Sequence, residues 1–350
     1  MTRIFTTGAE EADINALWDG MLLKSNDDSN INQVHVLGPI SSITTNPRTG
    51  RGMYHLNSNM YLMKDFLTDT SRTELFFGFA MYLSTAGTSD FLYAYTDSPG
   101  VYTNFLSLQI NVSGAVEVTR SNTIIATSAV GVITTGQWYY FEVWFKPLNS
   151  NGRAVVKVDG STVIDFTGDT TNEEEFINAF RFVGVTANQR VATLYDDIVV
   201  NTADGAVNNT YPGMVRLLPI RPESSGTNTA WTRAGVDLGS DEAQMRNGTW
   251  EFSMLQTASA DALQDVVPEI PDLPAGATIT NIVLSARAKV DAGAGVIAPL
   301  VIANGTSDIS ADQTLVSAWR YYQYAWAVNP EDSAAWDEAD LSLLKIGVSS

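Results

Sequence analysis

The fold of this chain is indicated first by the stretch at residues 154–166, AVVKVDGSTVIDF. Two runs rich in β-branched residues flank the pair Asp159-Gly160. An Asp-Gly pair favours the two-residue turn that joins antiparallel strands, because both positions tolerate a positive φ. The stretch therefore predicts a β-hairpin that turns at Asp159-Gly160.

Further strands are predicted on both sides of this hairpin, with turn residues about every ten positions. They are residues 74–83, 107–112, 115–120, 138–146, 179–186 and 191–201. Helical patterns occur only at 10–18 and 172–178, and both are too short to be a domain element. This rhythm is typical of a β-sandwich and not of alternating strands and helices.

The composition changes after residue 200. Residues 201–213 are rich in Asn, Asp, Gly, Thr and Pro, which favour turns. About five more strands follow, at 250–256, 279–290, 295–303, 314–327 and 341–348. We therefore predict an all-β chain with three parts: a sandwich at 1–200, an extended connector or arm at 201–248, and a smaller β-sandwich at 249–350.

Composition and charge exclude several classes of protein. The chain has 39 acidic and 20 basic side chains, a net charge of −19, and this field repels nucleic acid. It has no cysteine, so disulfides and thiol chemistry are excluded. The sequence has no run of eighteen apolar residues, so no membrane span is predicted, and the N-terminus does not resemble a signal peptide. We expect synthesis in a cytoplasm and no membrane partner.

The sequence predicts no enzyme and no catalytic residue. Sandwich glycanases carry two carboxylates on one strand face, and no Glu-x-Asp-x-(x)-Glu spacing occurs here. Asp196-Asp197 places neighbouring carboxylates on opposite faces of a strand. A hydrolytic triad would need His35 or His55, and no Gly-x-Ser-x-Gly elbow accompanies either.

Several stretches together resemble the concanavalin A-like (LamG-like) virion proteins of tailed bacteriophages. They are FTTGAE at 5–10 with Trp18, QWYYFEVW at 137–144 with VKVDG at 156–160, YDDIVVN at 195–201 with PGMVR at 212–216, DLP at 272–274, and ARAK at 286–289. One departure is Ala9, where the family commonly has Phe. The resemblance implies a concanavalin A-like jelly-roll sandwich followed by a smaller β-sandwich.

The resemblance also implies a role. Such a chain would be a structural protein of the virion, in a tail, a fibre or the capsid decoration. It would act by assembly with other virion proteins and with copies of itself, since particles are symmetric. The alternative is an adhesin that binds a host surface glycan through the first domain, and a glycan-degrading enzyme comes third.

A structural calcium ion is the one cofactor that the resemblance suggests. In lectin-like jelly rolls the first and last strands lie side by side, and a carboxylate from each can bind a hard cation. Glu10 and either Asp196 or Asp197 match those positions. The alternative is that the two aspartates cap turns or accept hydrogen bonds from backbone amides.

Two aromatic stretches are candidate glycan or interface sites. Tyr93, Tyr95 and Tyr102 lie close to Asp and Asn residues, as in sites that stack sugars. Phe91, Tyr93 and Tyr95 also alternate as one strand face, which is equally typical of core. Residues 319–326, with candidates Trp319, Tyr322 and Trp326, are aromatic on both faces, so one face is expected in the core and the other against a neighbouring subunit.

Overall fold

The computed structural model describes most of the chain. The described residues are 3–7, 20–22, 35–37, 48, 52–56, 61–65, 72–84, 87–98, 101–171, 175–184, 193–218, 220–235, 240 and 253–350, with a few strand side chains outside the description. The chain divides into two units. Unit 1 comprises Met1–Glu10 and Trp18–Leu217, and unit 2 comprises Glu11–Leu17 and Leu218–Ser350.

Unit 1 is built from strands throughout its described residues. They are β1 Arg3–Thr7, β2 Gly20–Leu22, β3 His35–Leu37, β4 Gly52–Leu56, β5 Tyr61–Asp65, β6 Leu75–Leu83, β7 Ser89–Ser98, β8 Val101–Ile110, β9 Val116–Arg120, β10 Thr123–Thr127, β11 Trp138–Lys146, β12 Gly152–Val158, β13 Ser161–Gly168, β14 Ala179–Val183 and β15 Thr193–Thr202.

These described strands form two antiparallel sheets. Sheet 1 has the order β13-β12-β11-β6-β15-β4-β3, with β1 also paired to β15. Sheet 2 has the order β10-β9-β8-β7-β14-β5-β2. Strands distant in sequence are neighbours, as β6 and β15 are in sheet 1, so the chain crosses between the sheets. The predicted all-β jelly-roll sandwich is confirmed.

The hairpin at residues 154–166 has the predicted geometry. Asp159 and Gly160 have φ values of 47° and 78°, as a type I′ turn requires. Val158 lies opposite Ser161, and the strands pair from that point to Gly152 and Gly168. Local turn chemistry and β-branched residues thus determine this edge of sheet 1.

Aromatic side chains from both sheets form the core of unit 1. Phe79 of sheet 1 lies 4.9 Å from Phe182 and 6.2 Å from Phe91 of sheet 2, measured between ring centroids. Tyr195 is fully buried beside them, and its hydroxyl donates to the carbonyl of Val183 at 2.6 Å. Each such ring buries enough apolar surface to contribute about 1.5–3 kcal/mol.

The outer face of sheet 1 is covered by residues 205–217, which we call the strap. The Tyr211 ring packs edge-on against Phe76, 5.4 Å away. The Gly213 amide donates to Glu142 at 2.9 Å. A Cβ on Gly78 would lie 3.0 Å from Pro212 Cγ, so the strap approaches the sheet closely.

The strap changes the domain boundary. The sequence placed the end of the first domain at residue 200, whereas unit 1 continues to Leu217. The turn-forming residues of 201–213 were interpreted as a linker. They instead allow the chain to fold back, and the few larger residues among them supply the contacts to the sheet.

Unit 2 has ten described strands and one short helix. They are β16 Arg221–Thr229, β17 Thr232–Gly235, β18 Ser253–Gln256, β19 Leu263–Glu269, β20 Ile282–Ala288, β21 Val296–Ala303, β22 Thr306–Ile309, β23 Gln313–Thr314, β24 Arg320–Trp326, α1 Glu338–Leu341 and β25 Lys345–Ser349. Sheet 3 has the order β16-β19-β25-β21-β22, with β23 also paired to β21, and β17–β18 and β20–β24 form two pairs. Val266, Val301, Trp326 and Trp336 belong to its core.

Part of the predicted connector is a strand of unit 2. Residues 221–229 form β16, which pairs with β19. The buried Asp265 carboxylate accepts the amides of Thr227 at 2.6 Å and Asn228 at 3.2 Å, at a bulge in β16. A Cβ on Gly226 would lie 1.4 Å from that carboxylate, so only glycine fits. Hydrogen bonds to the buried Asp265 carboxylate therefore order this polar segment, which the sequence pattern alone predicts to be an extended arm.

Helical structure is sparse, as the sequence indicates. Residues 175–178, in the second predicted helix, have no regular structure, and residues 10–18 lie outside the description. In the described ranges, no helix has the length and apolar character that crossing a membrane requires.

Candidate binding face

The outer face of sheet 2 brings together side chains from five strands in one row. Met63, Arg181, Tyr93, Ser107 and Thr119 lie opposite one another across β5, β14, β7, β8 and β9. Residues directly opposite in a sheet point to the same side, so the row is continuous. Their sequence neighbours point the other way, into the core.

A β-bulge decides which aromatics of β7 reach this face. The register with β8 shifts between Asp90 and Leu92. Phe91 therefore lies in the core, 5.3 Å from Phe141, whereas Tyr93 lies opposite Arg181 on the outer face. Strict alternation would have put Phe91 and Tyr93 on one side. The bulge removes that equivalence.

Three tyrosine rings surround the guanidinium of Arg181. Its Cζ atom lies 4.8 Å from the centroid of Tyr61, 4.7 Å from Tyr93 and 5.1 Å from Tyr95. Tyr95 is 4% exposed and packs with Met63 and Ala179 in a small buried cluster, so this predicted glycan or interface residue supports the face from beneath. These are cation–π distances, and the rings stabilise the charge through their quadrupoles.

Arg181 has no acidic partner in the described part of the chain. No carboxylate there lies within ion-pair distance of its guanidinium, and its buried Nε donates to no acceptor. The side chain is partly exposed. Its remaining N–H groups can therefore bind an anion from outside.

Polar side chains continue the face beyond Tyr93. Asp90 accepts hydrogen bonds from the Tyr93 hydroxyl at 2.9 Å and from Ser107 Oγ at 2.6 Å. Ser107 also shares a hydrogen bond with Thr119. Ser107 and Thr119 are less than a tenth exposed, so these hydroxyl groups are buried beside Asp90.

A second carboxylate, Glu117, lies farther along this face and is 7% exposed. It accepts hydrogen bonds from Asn111 Nδ2 at 2.7 Å and from Gln109. Asp90, Gln109 and Glu117 lie opposite one another on three adjacent strands, which separates the two acids by about 10 Å between backbones. Both acids receive neutral donors, and such networks hold planar acceptors in fixed orientations.

Burial favours the neutral phenol of Tyr93 and of Tyr95. It raises the pKa of Tyr93 well above its usual value, and the nearby Asp90 raises it further. Burial also raises the pKa of Tyr95, against the opposing effect of Arg181. These hydroxyls therefore remain hydrogen-bond donors at neutral pH.

The predicted calcium ligands have other partners. β1 pairs with β15, so the first and last strands lie side by side as expected. Asp197 is buried and forms an ion pair with Arg48, and it accepts the Leu217 amide at 2.8 Å. Asp196 accepts the amide of Asp197 at 2.7 Å, the alternative that the sequence had left open. Glu10 lies outside the described residues, and calcium stays a prediction.

No group of three or more His, Asp or Glu residues in the described ranges is placed to hold a metal. The side chains of His35, His55 and Tyr102 lie outside the description, although their strands do not. The predictions that name these residues therefore stay predictions.

The residues of the second predicted aromatic site differ in burial. Tyr322 and Trp326 are 8% and 4% exposed and lie in the core of unit 2, so they are neither glycan nor interface contacts. Trp319 lies outside that core, with the guanidinium of Arg287 4.4 Å from its ring. Alternation along β24 gives the physical reason, since every second residue points inward.

Arg181, Tyr61 and Glu117 are residues of this face that the sequence did not single out as functional. In residues 179–183, AFRFV, the charged residue stands between two phenylalanines. Because alternate residues share a face, that pattern places Arg181 opposite to the core. The signal was present, but it does not identify the tyrosines around the guanidinium.

Comparison with known proteins gives similarity of fold. No family model matches the chain, and no curated protein matches it. Alginate lyase Aly36B aligns over 47% of this chain and 91% of its own, at 16% identity and a TM-score of 0.30. A Trypanosoma rangeli sialidase aligns over 50% of this chain and 31% of its own, at 14% identity and a TM-score of 0.32. The binding domain of Paraclostridial Mosquitocidal Protein 1 aligns over 57% of this chain and 49% of its own, at 11% identity and a TM-score of 0.35. These similarities carry no argument about function.

Proposed function

We propose that this chain is a non-enzymatic bacteriophage virion protein whose unit 1 binds a surface glycan through the outer face of sheet 2. The virion assignment follows from the resemblance of its sequence motifs. Of the two modes of action that the sequence left open, assembly and glycan binding, the geometry favours glycan binding. The observation that carries this choice is the row of tyrosine, arginine and hydroxyl side chains beside Tyr93.

The chemistry of the row suits a saccharide. Aromatic rings stack on the apolar faces of sugars, and fixed polar side chains bond to their hydroxyl groups. Tyr93, which is partly exposed, provides the ring, and the buried Tyr95 supports it from 5.9 Å away between centroids. The partly exposed Asp90 provides an acceptor whose orientation is fixed by hydrogen bonds.

A glycan array with the purified chain tests the binding. We expect Tyr93→Ala to reduce the signal of bound glycans at least about tenfold, since loss of a stacking ring removes its contact area. Tyr211→Ala is the matched control, because it makes the same change under the strap of sheet 1. Equal binding by Tyr93→Ala and the wild type would refute glycan binding at this face.

Two further measurements test the other parts of the proposal. Peptides of this chain should be found by mass spectrometry in purified phage particles, and their absence from particles of a phage that encodes the chain would refute the virion assignment. Bound oligosaccharides should be recovered intact. New reducing ends or unsaturated products would show that the face is catalytic, with Asp90 and Glu117 as the first acids to replace.

A further inference from the structure

The charge of Arg181 distinguishes this face from a neutral sugar platform. Asp90 and Glu117 on the same face bond to hydroxyl and amide donors and not to the guanidinium. The arginine is instead supported by three rings, as described above. A cation supported in this way keeps its N–H groups for a ligand.

Three other described arginines of unit 1 differ from Arg181, because each has an acidic partner. Arg48 pairs with Asp197, Arg120 with Asp169, and Arg153 with Asp165. The net charge of the chain is −19, and a partly exposed arginine that has no carboxylate partner among the described residues can bind an external anion.

We propose that Arg181 makes this face selective for acidic saccharides by bonding a sugar carboxylate, an inference that rests on the glycan-binding function proposed above. The guanidinium fork matches a carboxylate with two parallel hydrogen bonds. The sugar ring that bears the carboxylate would lie against Tyr93. Neighbouring hydroxyl groups would reach Asp90.

The selectivity can be measured with matched probes. Calorimetric titration would compare oligogalacturonate and sialyllactose with carboxyl-reduced oligogalacturonate and lactose, which keep the sugar and lose the acid. We expect the wild type to bind the preferred acidic probe at least about tenfold more tightly than its neutral counterpart, the size of a charged hydrogen bond.

Variants assign that selectivity to Arg181. Arg181→Gln should bind the acidic and neutral probes with equal affinity, and Arg181→Lys should keep part of the difference, because it has the charge but not the fork. Arg153→Gln is the matched control, with the same change of charge on sheet 1, and should behave as the wild type. Unfolding curves establish that each variant is folded.

The outcomes separate this inference from the proposed function. If the wild type binds acidic and neutral probes equally, and Arg181→Gln does the same, the carboxylate inference is refuted and glycan binding stands. If the wild type binds none of the four probes and nothing on the array, both fail. If selectivity is present but survives in Arg181→Gln, another residue provides it, and the role of Arg181 is refuted.

Discussion

Arg48 and Arg181 lie on the outer faces of the two sheets of unit 1, and their surroundings differ. Arg48 forms an ion pair with Asp197, donates to the Val215 carbonyl at 2.9 Å and lies 4.9 Å from the Tyr140 ring. The strap completes these contacts. Arg181 is surrounded by tyrosine rings and has no carboxylate partner among the described residues.

The difference shows how one sandwich treats its two outer faces. A buried charge costs several kcal/mol unless it is paired, and on sheet 1 the charges of Arg48 and Asp197 are paired within the chain. On sheet 2 the Arg181 charge stays partly exposed, and we propose that its partner comes from outside. The first face therefore contributes to stability, and the second is the one that we propose for binding.

The largest expected effect comes from breaking the Arg48 pair. Asp197→Asn keeps the shape and suits the positive φ of 51°, but it leaves Arg48 with an unpaired charge. We expect a loss of about 3–5 kcal/mol in the free energy of unfolding, measured with urea. Asp165→Asn, which breaks the more exposed pair with Arg153, should cost less than about 1 kcal/mol. Equal losses would contradict the comparison.

Removing the strap contact should have the next largest effect. Tyr211→Ala loses the ring contacts to Phe76 and Trp144 and the Lys157 ammonium, which lies 3.6 Å from the ring centroid. We expect a loss of about 1–3 kcal/mol. Limited proteolysis should show faster cleavage within residues 205–217. Unchanged cleavage would mean that Tyr211 does not hold the strap.

The same contact predicts a dependence on alkaline pH. Burial raises the pKa of Tyr211 to about 12, above its unfolded value near 10. The folded state therefore binds this proton more tightly, and the stability it contributes is present below about pH 10 and lost as the pH rises to about 12. Tyr211→Phe should lose less stability over this interval than the wild type. Parallel curves would show that the phenol is not buried in solution.

The smallest effect on stability is expected at Arg181. Arg181→Gln removes cation–π contacts but leaves no carboxylate unpaired, so the free energy of unfolding should change by less than about 1 kcal/mol. Urea unfolding of Arg181→Gln and of Asp197→Asn, measured side by side, gives the direct comparison. A loss as large as that of Asp197→Asn would mean that Arg181 is a structural ion, and the two faces would then be alike.

Much of the fold follows from the sequence. The strands of unit 1 and the hairpin at Asp159-Gly160 were predictable because alternation and turn chemistry are local properties. The domain limits were harder to predict from the sequence. The strap and β16 are polar, turn-rich segments, and they are ordered by Glu142 and by Asp265, acids that lie far away in the sequence.

The candidate site shows the same division. The sequence by itself determined the all-β class, the negative charge and a group of tyrosines on β7. Only the tertiary structure decided that Tyr93 faces outward and Phe91 inward, because one bulge reverses the face of a strand. Only strand order decided that Tyr61, Tyr93 and Tyr95 surround Arg181, since β5, β7 and β14 are neighbours in the sheet but far apart in the chain.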